Sequence, residues 1–398
     1  MSNKVLVTSF DMEIGGVERS LAAMLSNFDY QNNKVDLHLH SHSGPLLNLL
    51  PKQVHLLPEL ATCKSYRQSI KQVILSGNFI LGLKRLYARI KAEKYAKDKQ
   101  FRDAGYYQYQ EIWRLCVNNT EVIEYEYDVA ISYLWPHHFT AFNVRAKTKI
   151  AWIHTDYSTI DIDVEADLAI WEQFDYIISI SDACTDAFVK THPSLQSKIV
   201  VVENITNADF VRAMAVKPVE HAISKQTFNL VSVGRLCTAK AFDRAVEVLS
   251  LVHEKGFANI KWYIIGEGGD KLKIEALIKQ YQLQDSFILL GSTTNPYPYM
   301  KAADLYVQPS RYEGKAVTVA EAKILAKPIL ITDYATSASQ IDNGIDGVIC
   351  SNNTKSIANT IIALFNDEAA RNALSNYCYS INHDNSDELQ KLYPLFDK

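Results

Sequence analysis

Short apolar segments alternate with helical segments along most of the chain, and this alternation constrains the fold more than any other feature. In the second half, the apolar runs at 230–233, 262–265 and 305–308 are each followed by a segment with helical periodicity. Strands that are apolar throughout are typical of a parallel sheet with helices on both faces. The sequence therefore predicts an α/β protein.

The same alternation divides the chain into two domains. Strand candidates run from 5–9 to 199–202, and a long helical and basic stretch interrupts them at 58–127. We predict two doubly wound, Rossmann-like domains that face an interdomain cleft, where the carboxyl ends of the strands bind ligands. The first domain spans 1–207 with an insertion at 58–127, a linker spans 208–225, and the second domain spans 226–375. We expect a C-terminal helix over 376–398 to pack back on the first domain.

The charge balance excludes one broad class of function. The chain holds 41 Lys and Arg against 45 Asp and Glu, a formal net charge of −4, whereas nucleic-acid-binding domains are usually basic. No apolar run reaches the roughly 18–20 residues of a spanning helix, and the first apolar run is too short for a signal peptide. The six cysteines lack metal-ligand spacing, which favours free thiols in a reducing compartment. We expect a cytoplasmic protein with no nucleic-acid partner.

Two motifs of the first domain follow predicted strands. Gly15 and Gly16 open the first helix, and glycines at a helix N-terminus suit either a tight turn or a phosphate or sugar contact. His154 directly follows the strand predicted at 150–153. A lone histidine is more often structural, but this edge of a parallel sheet is where ligands bind. The position of His154 therefore favours a functional role.

Two charged motifs belong to the second domain. Arg235 follows a strand end and Lys240 precedes a helix, so the pair suits a diphosphate, although a solvated loop fits as well. Glu313 lies in the loop after the strand at 305–308, and Glu321 lies eight positions further on. One carboxylate can face a sugar ring while the other accepts hydrogen bonds from a ribose diol. On their own, the two also fit surface carboxylates near a helix start.

In their order along the chain, these motifs resemble the retaining glycosyltransferase family four, whose fold is called GT-B, and in particular bacterial surface-polysaccharide glycosyltransferases. The residues that carry the resemblance are Gly15-Gly16, His154, Ser179–Ser181 with Asp182, Gly234-Arg235 with Lys240, Gly266-Glu267-Gly268, and Glu313 with Glu321. The resemblance spans nearly the whole chain and is weak across 58–127.

The resemblance implies a hexosyltransferase that moves a sugar from a nucleotide-diphosphate sugar to a hydroxyl of a lipid-linked or growing cell-surface glycan. It implies no metal or other cofactor, since cationic side chains and helix amides stabilise the leaving charge. The catalytic residues that it implies are Glu313, His154, Arg235 and Lys240. The donor-binding residues that it implies are Gly15, Gly16, Gly291, Thr293, Gly314, Lys315, Ala316, Val317 and Glu321.

Individual roles follow from the same resemblance. Arg235 and Lys240 would bind the diphosphate, and the backbone amides at the start of the helix after Glu313 would face its oxygens. Glu313 and His154 would contact the donor sugar, and Glu321 would hold the ribose. Two positions depart from the family: Ala241 stands where glycine is usual, and Lys315 where an aromatic or aliphatic residue is common.

A basic amphipathic segment indicates a membrane-surface contact. Residues 64–102 contain eleven Lys and Arg against two acidic residues, interleaved with apolar residues at near-helical spacing. An ordinary solvated helix face is the alternative. The basic residues expected at the membrane are Lys84, Arg85, Arg89, Lys91 and Lys94. We expect a peripheral enzyme at the inner face of the cell membrane, bound to anionic lipid.

Three alternating histidines, His38, His40 and His42, share one face of a predicted strand. No cysteine or acidic residue is evident near them in the sequence, so we predict no metal site.

Two further functions of the protein stay open. A nucleotide-sugar epimerase shares the fold but needs no acceptor, so the basic segment and the His154 motif count against it. A catalytically inactive sugar-nucleotide-binding protein is disfavoured by the intact charged motifs.

Overall fold

The computed structural model describes residues 2–66, 68–101, 104–219 and 223–396. Two of the basic residues of the expected membrane segment, Arg67 and Arg102, lie outside the described residues. The chain forms two compact units. The first comprises the described residues of 1–13, 17–203 and 387–398, and the second comprises 14–16 and 204–386.

The first unit is built on a parallel seven-stranded sheet with strand order β3-β2-β1-β4-β5-β6-β7. Its strands are β1 (Asn3–Ser9), β2 (Asn33–Leu39), β3 (His55–Leu56), β4 (Ile123–Ser132), β5 (Val144–Ile153), β6 (Tyr176–Ser179) and β7 (Ile199–Val201). Its helices are α1 (Gly16–Ser26), α2 (Ala61–Ser65), α3 (Ile70–Leu75), α4 (Phe79–Lys99), α5 (Gly105–Cys116), α6 (His138–Asn143), α7 (Val164–Trp171) and α8 (Asp182–Thr191). Four of these helices, α2–α5, lie between β3 and β4.

The second unit has a parallel six-stranded sheet with strand order β10-β9-β8-β11-β12-β13. Its helices are α9 (Ala208–Met214), α10 (Phe242–Glu254), α11 (Lys271–Gln280), α12 (Tyr297–Ala302), α13 (Val317–Ile324), α14 (Thr354–Asn366) and α15 (Glu368–Ser380). Its strands are β8 (Phe228–Val233), β9 (Ile260–Ile265), β10 (Phe287–Leu289), β11 (Leu305–Gln308), β12 (Ile329–Thr332) and β13 (Val348–Cys350).

Both faces of the second sheet are buried, which explains its uninterrupted apolar strands. Trp262 and Ile264 of β9 belong to one hydrophobic cluster, together with α10. Tyr263 and Ile265 belong to a second cluster, together with α12 and α13. Successive strand residues point to opposite faces, so each face needs its own apolar set. The prediction of two doubly wound, parallel-sheet domains is confirmed.

Two segments differ from the sequence expectation. The linker expected at 208–225 begins with a helix, α9, because the Asn207 side chain accepts a hydrogen bond from the Phe210 amide and caps its first turn. The helix expected over 376–398 ends at Ser380, and two short 3-10 helices follow at Ser386–Lys391 and Tyr393–Leu395. The intervening polar stretch at 382–385 favours turns over helix.

The C-terminal residues of the first unit pack on the segment that follows α1. The Tyr393 ring meets the Phe28 ring edge-on at 5.5 Å between centroids, and the Phe396 ring stacks on Phe28 at 6.3 Å. The backbone N–H of Asp29 donates to the Tyr393 hydroxyl at 2.8 Å.

Among the described residues, none of the helices has both the length and the apolar character needed to span a bilayer.

Candidate functional site

The loops after β8 and β11 lie where the strand order of the second sheet reverses. A doubly wound sheet leaves a crevice at this point, because its connections run to opposite sides. Lys240 follows β8 and Glu313 follows β11, and the Lys240 Nζ atom lies 2.6 Å from Glu313 Oε1. Both side chains are largely buried, with 19% and 11% exposed. The fold thus joins two of the expected catalytic residues in one ion pair.

Glu313 is held by two further donors. The Gln308 side-chain amide donates to Glu313 Oε1 at 2.9 Å, and the Ser310 hydroxyl donates to the same oxygen at 2.5 Å. The Tyr306 hydroxyl donates to the side-chain oxygen Oε1 of Gln308 at 2.7 Å, so the side-chain nitrogen Nε2 of Gln308 faces Glu313. Three donors on one oxygen fix the carboxylate in place.

An ion pair fastens the Glu313 loop to the turn that carries Lys240. The Arg311 guanidinium donates to both carboxylate oxygens of Asp243, at 2.9 and 3.1 Å, and to the Thr238 carbonyl at 2.7 Å. Burial alone would raise the pKa of Asp243, but hydrogen bonds from Arg311 and Lys273 lower it to about 2. The bidentate geometry restricts the relative motion of the two loops.

Glycines allow three strand-end loops to approach closely. A Cβ built on Gly234 would lie 3.1 Å from Cδ and Cε of Lys240, so the lysine stem passes directly over this backbone. Gly266 has φ +153°, and a Cβ there would lie 1.9 Å from the Gly234 carbonyl oxygen. The Gly266 amide donates to the Gly291 carbonyl at 2.8 Å. The glycines therefore make room for the Lys240 side chain and for the close approach of neighbouring backbones.

Ala241 adopts the left-handed conformation, with φ 57° and ψ 32°. Its side chain is fully buried. A non-glycine residue in this region costs roughly 1–2 kcal/mol. The glycine usual in the family therefore meets a real backbone requirement that this chain satisfies with strain.

The other cation of the motif behaves differently. Arg235 is exposed and forms no ion pair with any residue that the structure describes. Arg235 is thus positioned to bind a ligand without first giving up a protein partner.

Two of the expected donor-binding residues lie in the loop after β10. Gly291 has φ +75°, and the Thr293 hydroxyl accepts a hydrogen bond from the Asn295 backbone amide at 3.2 Å.

Glu321 lies in the buried part of α13. Its Oε1 accepts a hydrogen bond from the Tyr297 hydroxyl at 2.8 Å. Gly314, Lys315 and Val317 are half-buried around the start of this helix. The expectation for Ala316 is wrong in one respect, because its amide donates to Gln340 Oε1 at 2.9 Å and is not available to a phosphate oxygen in this structure.

The first-domain motifs are placed separately. Gly15 and Gly16 group with the second unit. His154 follows β5 in the first unit, with its ring 4.6 Å from the Tyr133 ring and 6.0 Å from the Trp152 ring between centroids. Burial lowers the pKa of His154 to about 3. The imidazole is therefore neutral near pH 7.

The expected membrane residues differ in what they contact. The expectation for Arg85 is wrong, because its side chain is buried and donates to the carbonyls of Ser65 and Gln68, both at 2.7 Å. Lys84 donates to the Leu115 carbonyl at 2.8 Å. Lys84 also donates to the Asn119 side-chain oxygen at 2.6 Å. Lys91 forms an ion pair with Glu111, and Arg89 forms one with Glu93, both at 2.8 Å. Lys94 is exposed.

The second half of the chain, which contains the site, matches a known protein family. Residues 215–380 match the family model of glycosyl transferases group 1. This segment of the chain is similar to the group 1 glycosyl transferases. The matched segment contains the whole cluster from Gly234 to Glu321, so the family resemblance of the motifs is confirmed.

Curated relatives match part of the chain over part of their own length. An uncharacterised glycosyltransferase of Methanocaldococcus jannaschii is 31% identical over 169 residues, which cover 42% of this chain and 41% of that protein. A poly(ribitol-phosphate) alpha-N-acetylglucosaminyltransferase of Staphylococcus aureus is 33% identical over 146 residues, which cover 36% of this chain and 29% of that protein. The chain thus spans less than half of the length of either relative.

Solved structures match the whole chain. Anabaena HepE in complex with UDP and glucose has a TM-score of 0.69 at 14% identity, over 98% of both chains. TarM of Staphylococcus aureus in complex with fondaparinux, alpha-GlcNAc-glycerol and UDP has a TM-score of 0.68 at 15% identity, over 100% of both chains. The shared fold is GT-B, as predicted.

Several residues that hold Glu313, Glu321 and their loops in place were not predicted from the sequence. They are Asp243, Tyr297, Gln308, Ser310, Arg311 and Gln340. A polar residue at the carboxyl end of an otherwise apolar strand is a usable signal, and Gln308 provides it. The Asp243–Arg311 pair spans 68 positions, and no local pattern links residues that far apart.

Proposed function

We propose that the protein is a retaining glycosyltransferase that moves a hexose from a UDP-linked sugar to a hydroxyl group of a cell-surface glycan. The observation that carries the proposal is the Lys240–Glu313 pair at the switch point of the group 1 domain, with the exposed Arg235 on the same loop as Lys240. The UDP named with HepE and with TarM supports UDP as the nucleotide.

The charges of the site suit the departure of a diphosphate. In the proposed reaction, the bond between the anomeric carbon and the diphosphate oxygen breaks, and negative charge grows on the diphosphate. Arg235 and Lys240 would stabilise that charge, and fixed cations aimed at a developing charge are often the largest catalytic effect. We propose that the transfer step itself uses these side chains rather than a metal ion.

The proposed role of Glu313 is to hold the donor sugar. Three donors on Oε1 reduce the nucleophilicity of the carboxylate, which favours this role over attack on the anomeric carbon. The acceptor oxygen would then form its bond on the face that the diphosphate leaves, and its proton would pass to a diphosphate oxygen. Such a step retains the anomeric configuration.

The proposed acceptor is lipid-linked, and an apolar stripe on the insertion supports this choice. The stripe runs along α3 and α4 and consists of exposed Leu75, Phe79, Ile80, Leu83, Leu86, Tyr87 and Ile90. Ile80 is 75% exposed and Leu83 is 62% exposed, which is costly in water. Exposed basic residues Arg89 and Lys94 lie on the same helix. An apolar face beside cations suits an anionic membrane surface, so we propose peripheral binding at the inner face of the cell membrane.

UDP release tests the proposal. Wild type should release UDP from a UDP-hexose faster when a polyprenyl-linked or glycan acceptor is present, and Glu313→Gln should be at least about a hundredfold slower. Glu275→Gln, an exposed carboxylate on α11, serves as the matched control and should equal wild type. Equal turnover by Glu313→Gln and wild type would contradict the proposed role of Glu313. Conversion of the UDP-sugar to its epimer without transfer would contradict the transferase.

A further inference from the structure

Two histidines and a cysteine converge inside the first unit, on elements to which the proposed transfer assigns no role. His38 lies on β2, His40 follows its end on the same face, and Cys63 lies on α2. The nitrogen and sulfur atoms that could bind a metal all lie within 4.8 Å of one another. His38 and Cys63 are fully buried, and His40 is nearly so.

Buried polar atoms of two residues in this region have no hydrogen-bond partner among the described residues. Neither ring nitrogen of His38 has a hydrogen-bond partner among the residues that the structure describes. Oε2 of Glu121 likewise has none among the described part of the chain. Glu121 interacts electrostatically with both His38 and Cys63. Each unpartnered buried group costs roughly 1–3 kcal/mol, so a native fold rarely keeps several together unless they have a function.

We propose that His38, His40 and Cys63 bind a zinc ion, with Oε2 of Glu121 as the fourth ligand. Two imidazoles, a thiolate and a carboxylate are donors that zinc accepts in tetrahedral sites. Zn–N bonds of about 2.0 Å and Zn–S bonds of about 2.3 Å put ligand atoms roughly 3.3–3.6 Å apart. The ligand atoms of His38, His40 and Cys63 lie within 4.8 Å of one another, so rotation of these three side chains needs to close the widest separation by only about 1 Å. The Glu121 carboxylate lies outside this group and has to move further to bind the ion.

The charges of this ligand set allow the ion to be buried. A thiolate and a carboxylate balance the two positive charges of zinc, and neutral imidazoles add none. On binding, the S–H bond of Cys63 breaks, the sulfur bonds to zinc, and the proton leaves to solvent. The site then carries no net charge in a region where isolated charges would be very costly.

The surroundings are those of a closed, structural site. The His38 ring stacks on Phe139 at 4.8 Å between centroids, and the His40 ring lies 5.3 Å from Trp113. Oε1 of Glu121 accepts the backbone N–H of Thr62, the residue before Cys63, at 3.2 Å. The ion would tie β2, α2 and the segment before β4 together, and so fasten the insertion to the sheet.

This proposal reverses the sequence expectation of no metal site. That expectation depended on the absence of a cysteine or acidic residue near the histidines, whereas folding brings Cys63 and Glu121 to them from distant positions. His42 is not part of the set, because its ring lies 3.0 Å from the Leu57 carbonyl and its amide donates to Glu59 at 2.6 Å.

Metal analysis of the full chain tests the proposal independently of any transferase activity. We expect wild type, refolded with zinc and then dialysed, to keep about one zinc per chain by plasma mass spectrometry. Cys63→Ser and His38→Gln should keep less than a tenth of that amount. Cys116→Ser removes another fully buried thiol of the same hydrophobic cluster and should keep the wild-type amount. No bound zinc in wild type, or equal zinc in Cys63→Ser, would overturn the proposal.

Cobalt replacement keeps the test decisive where a variant fails to fold. Wild type refolded with Co²⁺ should show the intense near-ultraviolet absorption of a thiolate–cobalt bond. Cys116→Ser should show the same band. A cobalt-loaded wild type without that band would contradict ligation by Cys63, whatever the behaviour of the variants.

Discussion

The Lys240 Nζ atom lies 2.6 Å from Glu313 Oε1, although 73 positions separate the two residues in the chain. The pair spans the two central strands of the second sheet, β8 and β11, at the point where the strand order reverses. In the proposed reaction, the cation would act on the diphosphate end and the carboxylate on the sugar end of the bond that breaks.

Lys240→Met should lower kcat for UDP release by about 10²-fold, because one fixed charge at the leaving group is lost. Lys279→Met, which removes an exposed lysine of α11, should leave kcat unchanged. Steady-state kinetics with a saturating donor measure both variants. A Lys240→Met enzyme with wild-type kcat would remove the lysine from the proposed reaction.

Gly234→Ala should raise KM for the donor several-fold while stability changes little. The new Cβ would press on the Lys240 stem, which passes 3.1 Å away, and so displace the Nζ atom from its position. Gly269→Ala is the matched control, since a Cβ there would meet nothing within 4 Å. Donor titrations of the two variants distinguish a positional effect of Gly234 from a general effect of losing a loop glycine.

Ala241→Val should lower the free energy of unfolding by more than 2 kcal/mol, and Ala241→Gly should change it by less than about 1 kcal/mol. The left-handed backbone at this residue disfavours a β-branched side chain strongly. Glycine relieves that strain but loses a buried methyl group and gains freedom in the unfolded chain. Urea denaturation compares the three proteins, and a valine variant as stable as wild type would show that the conformation is not needed.

The Asp243–Arg311 pair should give the second domain an acid-dependent stability. The folded pKa of Asp243 is about 2, below its ordinary value of 3.8, so its stabilisation is complete above about pH 4 and is lost as pH falls toward 2. Asp243→Asn should lose about 1 kcal/mol at pH 7, less than the full shift would give because the pair is partly exposed.

Denaturation of Asp243→Asn and wild type between pH 7 and pH 2.5 checks this prediction. The difference between the two proteins should narrow as the pH falls. Asp285→Asn changes an exposed carboxylate and should follow wild type at every pH. A difference that stays constant down to pH 2.5 would show that ionisation of Asp243 does not contribute.

The apolar stripe should control binding to vesicles. Ile80→Ser combined with Leu83→Ser should reduce co-sedimentation with anionic liposomes several-fold, because less apolar area enters the bilayer. Thermal stability should not change, since both residues are exposed. Leu272→Ser, an equally exposed leucine of the second unit, is the control. Co-sedimentation that is independent of anionic lipid would contradict the membrane proposal.

Local patterns in the sequence were enough to predict where the strands lie and which charged residues lie in the loops after them. Each strand reports its own burial through its apolar run, and the residue after it necessarily lies at the ligand-binding edge. Lys240 and Glu313 lie in the loops that follow two such strands, and the roles expected of them follow from the resemblance of the ordered motifs to family four glycosyltransferases.

What the sequence did not reveal depends on which segments meet in space. The Gln340 side chain occupies the Ala316 amide from 24 positions away, and Cys63 joins the histidines only after folding. Arg85 fits the basic pattern of its helix, yet it faces inward because the carbonyls of Ser65 and Gln68 accept its hydrogen bonds. Helical periodicity predicts the exposed face of a helix only approximately, because buried backbone carbonyls can accept hydrogen bonds from a basic side chain.

The position of the diphosphate in a crystal soaked with a UDP-sugar tests the central claim most directly. We predict that phosphate oxygens lie within hydrogen-bond distance of the Lys240 ammonium and the Arg235 guanidinium, with the hexose beside Glu313. A bound UDP-sugar whose diphosphate contacts neither Lys240 nor Arg235 would contradict the account.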